Sequence, residues 1–128
     1  MNYLGLDFGL KKIGLAIGDD GGRVAVPFDV VYGGLDEVCQ IINQEKIEAL
    51  VVGLAIPEGV QSDRQFTRTG EFIKSLRERT GLPVSVVDEQ FTSTEARRVQ
   101  KEFGAKASED ALAAMLILQA FFDEGGMK

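Results

Sequence analysis

Four acids carry the chemistry this sequence can offer. Asp7 interrupts the apolar run Tyr3-Leu4-Gly5-Leu6 and is flanked by Gly5 and Gly9. Asp88 and Glu89 close the run "LPVSVV", and Asp110 follows Ser108 at the head of "EDALAAMLILQAFFDE". A carboxylate drawn into an apolar segment is costly unless something pairs with it. Three acids from separate segments, converging at one sheet edge, suit a hard cation with oxygen ligands. Two such ions about 4 Å apart activate water and stabilise the leaving oxygen of a phosphodiester. That chemistry needs no histidine, and the chain has none.

Each acid also has a plainer reading. Asp7 can accept backbone N–H bonds in a turn, since polar groups in apolar segments are usually just satisfied. Asp110 stands where a helix N-terminus favours an acid by about 0.3–1 kcal/mol with no function at all. Asp88 and Glu89 can be solvated loop acids. Strand alternation turns these two to opposite faces, so one of them joins a shared site. The case for a site rests on the three positions together.

The elements that must position these acids follow from periodicity and turn residues. Tyr3 to Phe8 reads as a buried strand, Ile13 to Asp19 as a second, and "DDGG", residues 19 to 22, as the hairpin turn into "RVAVPFDVV". Pro27 marks that third strand as an edge or a bulge. Leu35 to Ile47 has helical spacing, with apolar residues at 35, 38, 41 and 42, and Cys39 reads as helix core. "ALVVGLAI" is a strand buried on both faces, followed by a polar loop over Pro57 to Asp63. A helix over about Arg64 to Arg79 turns Phe66, Ile73 and Leu76 inward and stops at Gly81, and "LPVSVVDEQ" is the last strand. Thr92-Ser93-Thr94-Glu95 has the capping-box form and starts a helix to about Phe103; Ser108 caps a final one, and about 124–128 is a frayed tail. The order βββαβαβαα predicts an α/β fold: a mixed five-stranded sheet with helices on both faces, in one domain of residues 1–128.

In such a sheet, ligands gather at the carboxyl ends of parallel strands. Asp7 ends the first strand, and Asp88-Glu89 end the last. Asp110 shares a helix face with Ala113, Ala114 and Ile117, whose modest bulk, with Gly5 beneath, lets the helix lie close and carries Asp110 inward. Phe121 and Phe122 near the end of that helix either complete the core or support a dimer.

Charge and composition narrow the partners. The net charge of −6 is the wrong sign for a generic nucleic-acid binder, so any contact with RNA or DNA runs through local basic groups. Lys11, Lys12, Arg64, Arg68, Arg97, Arg98, Lys101 and Lys106 are the candidates, with Arg97-Arg98 placed just after the Asp-Glu pair. The missing histidines remove Ser-His triads and the commonest general base. The lone cysteine excludes an intrachain disulfide and a Cys/His zinc cluster. The longest apolar stretch, Ala111 to Leu118, falls far short of the roughly 20 residues that span a bilayer. A cytoplasmic setting with no membrane partner is expected.

"LGLDFGLKKIGLAIGD", "VVGL", "LPVSVVDEQFTSTEARR" and "EDALAAMLILQAFF" resemble, in order and spacing, the YqgF/RuvX family. These are small bacterial proteins with a ribonuclease H-like fold, described as Holliday-junction resolvases and as nucleases that mature the end of pre-16S ribosomal RNA. The resemblance implies divalent-metal-dependent phosphodiester cleavage, with Mg²⁺ or Mn²⁺ as cofactor. It implies Asp7, Glu89 and Asp110 as catalytic ligands with Asp88 in reserve. Of the basic groups named above, Lys11, Lys12, Arg97 and Arg98 are the ones expected toward substrate. RNA is placed ahead of branched DNA, a ribosome precursor is a candidate partner, and the chain is a monomer or homodimer. Three departures stand out: Leu10 replaces the usual Thr or Ser, "AIPEGVQSD" replaces Pro-Leu-Asn-x-Asp-Gly, and only Lys106 precedes the helix acid. Weak nucleic-acid binding is the expected result.

Two other classes compete. A phosphotransferase or ATPase of the actin and sugar-kinase type has a similar Asp-x-Gly hairpin, yet needs two such lobes to close on a nucleotide. A binding module that has lost catalysis would keep the fold and act as a scaffold on ribosome precursors or transcription machinery.

Overall fold

The computed structural model describes residues 1–9, 11–54, 64–88 and 108–124, and the side chains of 64–67 lie outside that description. Its elements are β1 (Asn2–Phe8), β2 (Lys12–Asp19), β3 (Val24–Tyr32), α1 (Leu35–Gln44), β4 (Ala49–Leu54), α2 (Arg64–Thr80), β5 (Val84–Asp88) and α3 (Glu109–Asp123). The expected helix from Thr92 to about Phe103, the 55–63 loop and the tail beyond Glu124 fall outside the described residues.

The strands form one sheet in the order β3-β2-β1-β4-β5. Short turns make β1, β2 and β3 antiparallel, whereas the longer connections allow β4 and β5 to run parallel to β1. Residues Ala49 to Val52 of β4 are all buried, as a strand with neighbours on both sides and cover on both faces requires. Period-2 alternation splits the core into two layers. Leu4, Leu6, Ile13, Leu15, Leu50 and Val52 pack with α1 and α2 residues such as Val38, Ile42, Ile73 and Leu76. Tyr3, Ala16, Ala49, Val51 and Val87 pack against α3 on the other face. Helices on both faces of a mixed five-stranded sheet are what the sequence pattern predicts.

Several local details follow from residue type. β3 is an edge strand, and its register slips at Pro27: Leu15 faces Asp29, Ala16 faces Pro27, and Phe28 is the extra residue. In the hairpin turn, Arg23 donates its N–H to the Asp19 carbonyl at 2.8 Å. The left-handed conformation there belongs to Arg23 (φ 55°), although two glycines precede it. α1 ends earlier than its periodicity suggests, because the chain turns through Lys46 (φ 54°) before Ile47 re-enters the core. α2 ends as expected: Gly81 takes φ +69° and donates its N–H to the Arg77 carbonyl at 3.0 Å.

α3 is capped by Ser108, whose Oγ accepts the Ala111 N–H at 3.1 Å. Nine of its 15 residues are buried, including Phe121 and Phe122. Both rings pack on Tyr3 with centroids 5.5 Å apart, Phe122 edge-on. The two phenylalanines therefore complete the core.

Candidate metal and nucleic-acid site

Alternation fixes which way the first acid faces. Tyr3 belongs to the α3-side layer and Leu4 and Leu6 to the opposite one, so Gly5 and Asp7 look toward α3. In register, Asp7 lies between Gly14 of β2 and Gly53 of β4. On β2 the same face carries Lys12, Gly14, Ala16 and Gly18.

This small-residue surface lets α3 lie almost on the sheet backbone. A Cβ at Gly5 would stand 2.8 Å from Leu118 Cβ and 2.9 Å from the Ala114 carbonyl oxygen. One at Gly18 would stand 2.8 Å from Phe122 Cε2, and one at Gly14 would collide with the carbonyl of Asp110. The first turn of α3 thus settles over the β2 residue that pairs with Asp7. Asp7 and Asp110 occupy one corner, at the carboxyl end of β1 and the N-terminus of α3.

The two carboxylates differ in their partners. Asp7 is half-buried, and among the described residues none donates it a hydrogen bond or an ion pair. A turn that satisfies Asp7 with backbone N–H groups is therefore not seen among these residues. Asp110 is 31% exposed, and its Oδ2 meets Lys12 Nζ at 2.8 Å. The hydrogen bond to Asp110, and then its charge, hold the Lys12 ammonium above the usual lysine range. Lys11, just before β2, is exposed.

Asp88 stands elsewhere. It pairs with Leu54, and its neighbour Val87 belongs to the α3-side layer, so Asp88 turns to the face of α1 and α2. Glu89, Arg97 and Arg98 lie outside the described residues, as do Leu10, Lys101 and Lys106. Among the described residues the backbone brings two acids, Asp7 and Asp110, to the same corner, with Lys12 paired to Asp110, and no group of three metal-ligating side chains forms. A surface concavity of about 520 Å³ is lined by Cys39, Ile42, Lys46, Arg79 and Leu82 among others, away from these acids.

A divalent cation fits the donor set of that corner. Both carboxylates are hard oxygen donors, one has no described protein donor, and the other already accepts a cationic nitrogen. Sequence reasoning put Asp7 and Asp110 at one corner but missed Gly14 as their spacer and Lys12 as the partner of Asp110. The signal for Gly14 was the alternation Lys12-x-Gly14-x-Ala16-x-Gly18, small residues on one face beneath a helix. No helix among the described residues is long and apolar enough to cross a membrane.

Residues 1–124 match the family model RuvX, described as Holliday junction resolvase. A protein of Bordetella petrii, named provisionally as a pre-16S rRNA nuclease, is 38% identical over 125 residues, covering 94% of this chain and 93% of its own length. One of Oenococcus oeni with the same name is 34% identical and covers 98% and 96%. Among solved structures, RuvC of Thermus thermophilus in complex with Holliday junction substrate aligns with a TM-score of 0.65 at 19% identity, over 98% of this chain and 97% of that one. The Fowlpox virus resolvase, in complex with Holliday junction DNA, aligns at 0.59 and 11% identity over 97% and 98%. The likeness in backbone is that of the ribonuclease H-like fold.

Proposed function

The chain belongs to the RuvX family, described as Holliday junction resolvases, and from that premise we propose that it is a metal-dependent nuclease that processes the end of pre-16S ribosomal RNA. The observation that carries this reading is the half-buried Asp7 carboxylate without a described protein donor, set beside Asp110 under the first turn of α3. The provisional name of the relatives supports RNA as substrate.

In this reading Asp7, Glu89 and Asp110 hold Mg²⁺ or Mn²⁺, two ions in the complete site, and Asp88, on the other face, is left aside. A bound ion lowers the pKa of water and stabilises charge on the leaving oxygen. The protein's part is placement. β1 fixes Asp7 at a strand end, and Gly14 fixes the height of α3 and so of Asp110. Lys11, Arg97 and Arg98 guide the phosphate backbone, with Lys12 nearest the acids. Residues 1–128 act as one domain in the cytoplasm, as a monomer or homodimer.

Resolution of branched DNA is the second reading, favoured by the family description and by the backbone likeness to a junction-bound RuvC. Symmetric cutting of two strands would call for a dimer. A binding module without catalysis is the third.

The test is a cleavage assay of the wild type beside D7N, with Mg²⁺ or Mn²⁺, on a pre-16S RNA end, single-stranded RNA and a four-way DNA junction. Metal-dependent cutting of the RNA end, lost in a folded D7N, is the expected result. Preference for the junction would favour the second reading. No cutting of any substrate by a folded wild type would favour the third.

A further inference from the structure

The Lys12–Asp110 pair has a consequence for metal loading. Lys12 begins β2 on the α3-facing side, two residues from Gly14, the partner of Asp7. Its ammonium contacts Asp110 Oδ2 at 2.8 Å, while the Asp110 backbone is pinned over Gly14. An ion bound at Oδ2 competes for the lone pairs the ammonium occupies, and one bound at Oδ1 of the same carboxylate still lies within a few Å of that ammonium, where like charges repel. Lys12 has somewhere to go, because its side chain is 47% exposed and water is open to it.

We propose that Lys12 is a resident counter-ion of the site: ammonium and divalent ion are alternative occupants of Asp110, and loading the metal displaces the lysine. This rests on the proposed metal site of Asp7 and Asp110. Lys12 is then a positioning residue that keeps the Asp110 carboxylate turned into the corner before the ion arrives. It also lowers the apparent metal affinity, since each loading event must break the pair. Because water reaches both ends of the pair, the competition is modest in size.

Direct Mn²⁺ binding, read by calorimetry or by the electron-paramagnetic signal of free Mn²⁺, tests this without any substrate. K12M is expected to bind Mn²⁺ about threefold or more tightly than wild type, as removal of a half-screened ion pair allows. K12R, which keeps charge and contact, should stay near wild type. K11M removes the same charge from the exposed neighbouring position and should change affinity by less than about twofold. D7N and D110N should each weaken binding strongly. K12M binding equal to or weaker than wild type, or an equal gain in K11M, would overturn the role of Lys12 while the D7N and D110N losses left the metal site standing. Absent binding in the wild type, or binding unaffected in D7N and D110N, would overturn the site and this inference with it. A thermal melt of metal-free K12M, expected near wild type, separates these outcomes from misfolding.

Discussion

Replacing Gly14 with alanine should damage both stability and the acidic corner through a single methyl group. The new Cβ would overlap the Asp110 carbonyl, a backbone atom that cannot rotate away. Ordinary contact begins at 3.4 Å, so β2 and the first turn of α3 must part by about 1 Å or more in an interior packed to crystal density. Overpacking of this kind costs about 1–3 kcal/mol, and backbone on the receiving side argues for the upper half of that range. For a chain of this length, about 2–3 kcal/mol lowers Tm by roughly 7–11 °C. The same displacement carries Asp110 away from Asp7, and a shift of about 1 Å at a reacting centre costs on the order of 100-fold in rate. G22A is the control: nothing lies within 4 Å of its added methyl, and relief of unfolded-chain entropy makes it neutral or slightly stabilising. Calorimetry and the metal-dependent cleavage rate would be measured on both. A G14A protein with wild-type Tm and wild-type rate would refute the close approach of helix to sheet, and with it the placement of Asp110.

Other outcomes follow from the same packing. Q119A should lose about 1–2 kcal/mol in a denaturant titration, because the Gln119 amide accepts from the Ala25 N–H at 2.9 Å and donates to the Arg23 carbonyl at 3.0 Å, tying the hairpin to α3. Its cleavage rate should be unchanged, since this clamp lies at the far end of the helix from Asp110. S108A should cost about 1 kcal/mol by loss of the cap, measured by thermal melting, with a fall in rate that G22A does not show. F122A should cost about 3–5 kcal/mol, because the ring is almost fully buried against Tyr3 and Gly18. Binding of inactive D7N to RNA should weaken about tenfold between 50 and 200 mM salt if two or three phosphates are neutralised; salt-independent binding in a gel-shift titration would contradict this.

Local signals carried much of the fold. Pro27 foretold the bulged edge strand, Ser108 the cap, Gly81 the helix stop, and the alternation around Asp7 the face it occupies. What escaped prediction depended on partners distant in the chain. Lys12 and Asp110 are 98 positions apart, and nothing local in either segment announces their contact. Phe121 and Phe122 looked open to two roles because only the ring of Tyr3, from the other end of the chain, decides between core and surface. The left-handed residue of the hairpin fell on Arg23, where propensity would have chosen a glycine; the register of β2 on β3 decided it. Of the candidate acids, the sequence separated Asp88 from its neighbour by alternation, and the pairing of Asp88 with Leu54 sets it on the face away from Asp7.

The helix that presents Asp110 is also the one that fills a whole layer of the core, from Ala111 to Phe122. Many carboxylates of this kind ride on loops, which open and close at little cost. Here the carrier's buried middle cannot loosen without uncovering Tyr3, Val51 and Val87 together, so the amides of that middle should exchange with solvent only through global opening. Melting of the helix body therefore leaves no folded state that keeps the acidic corner. The corner and the fold share one fate, and heat or denaturant should remove both in a single step.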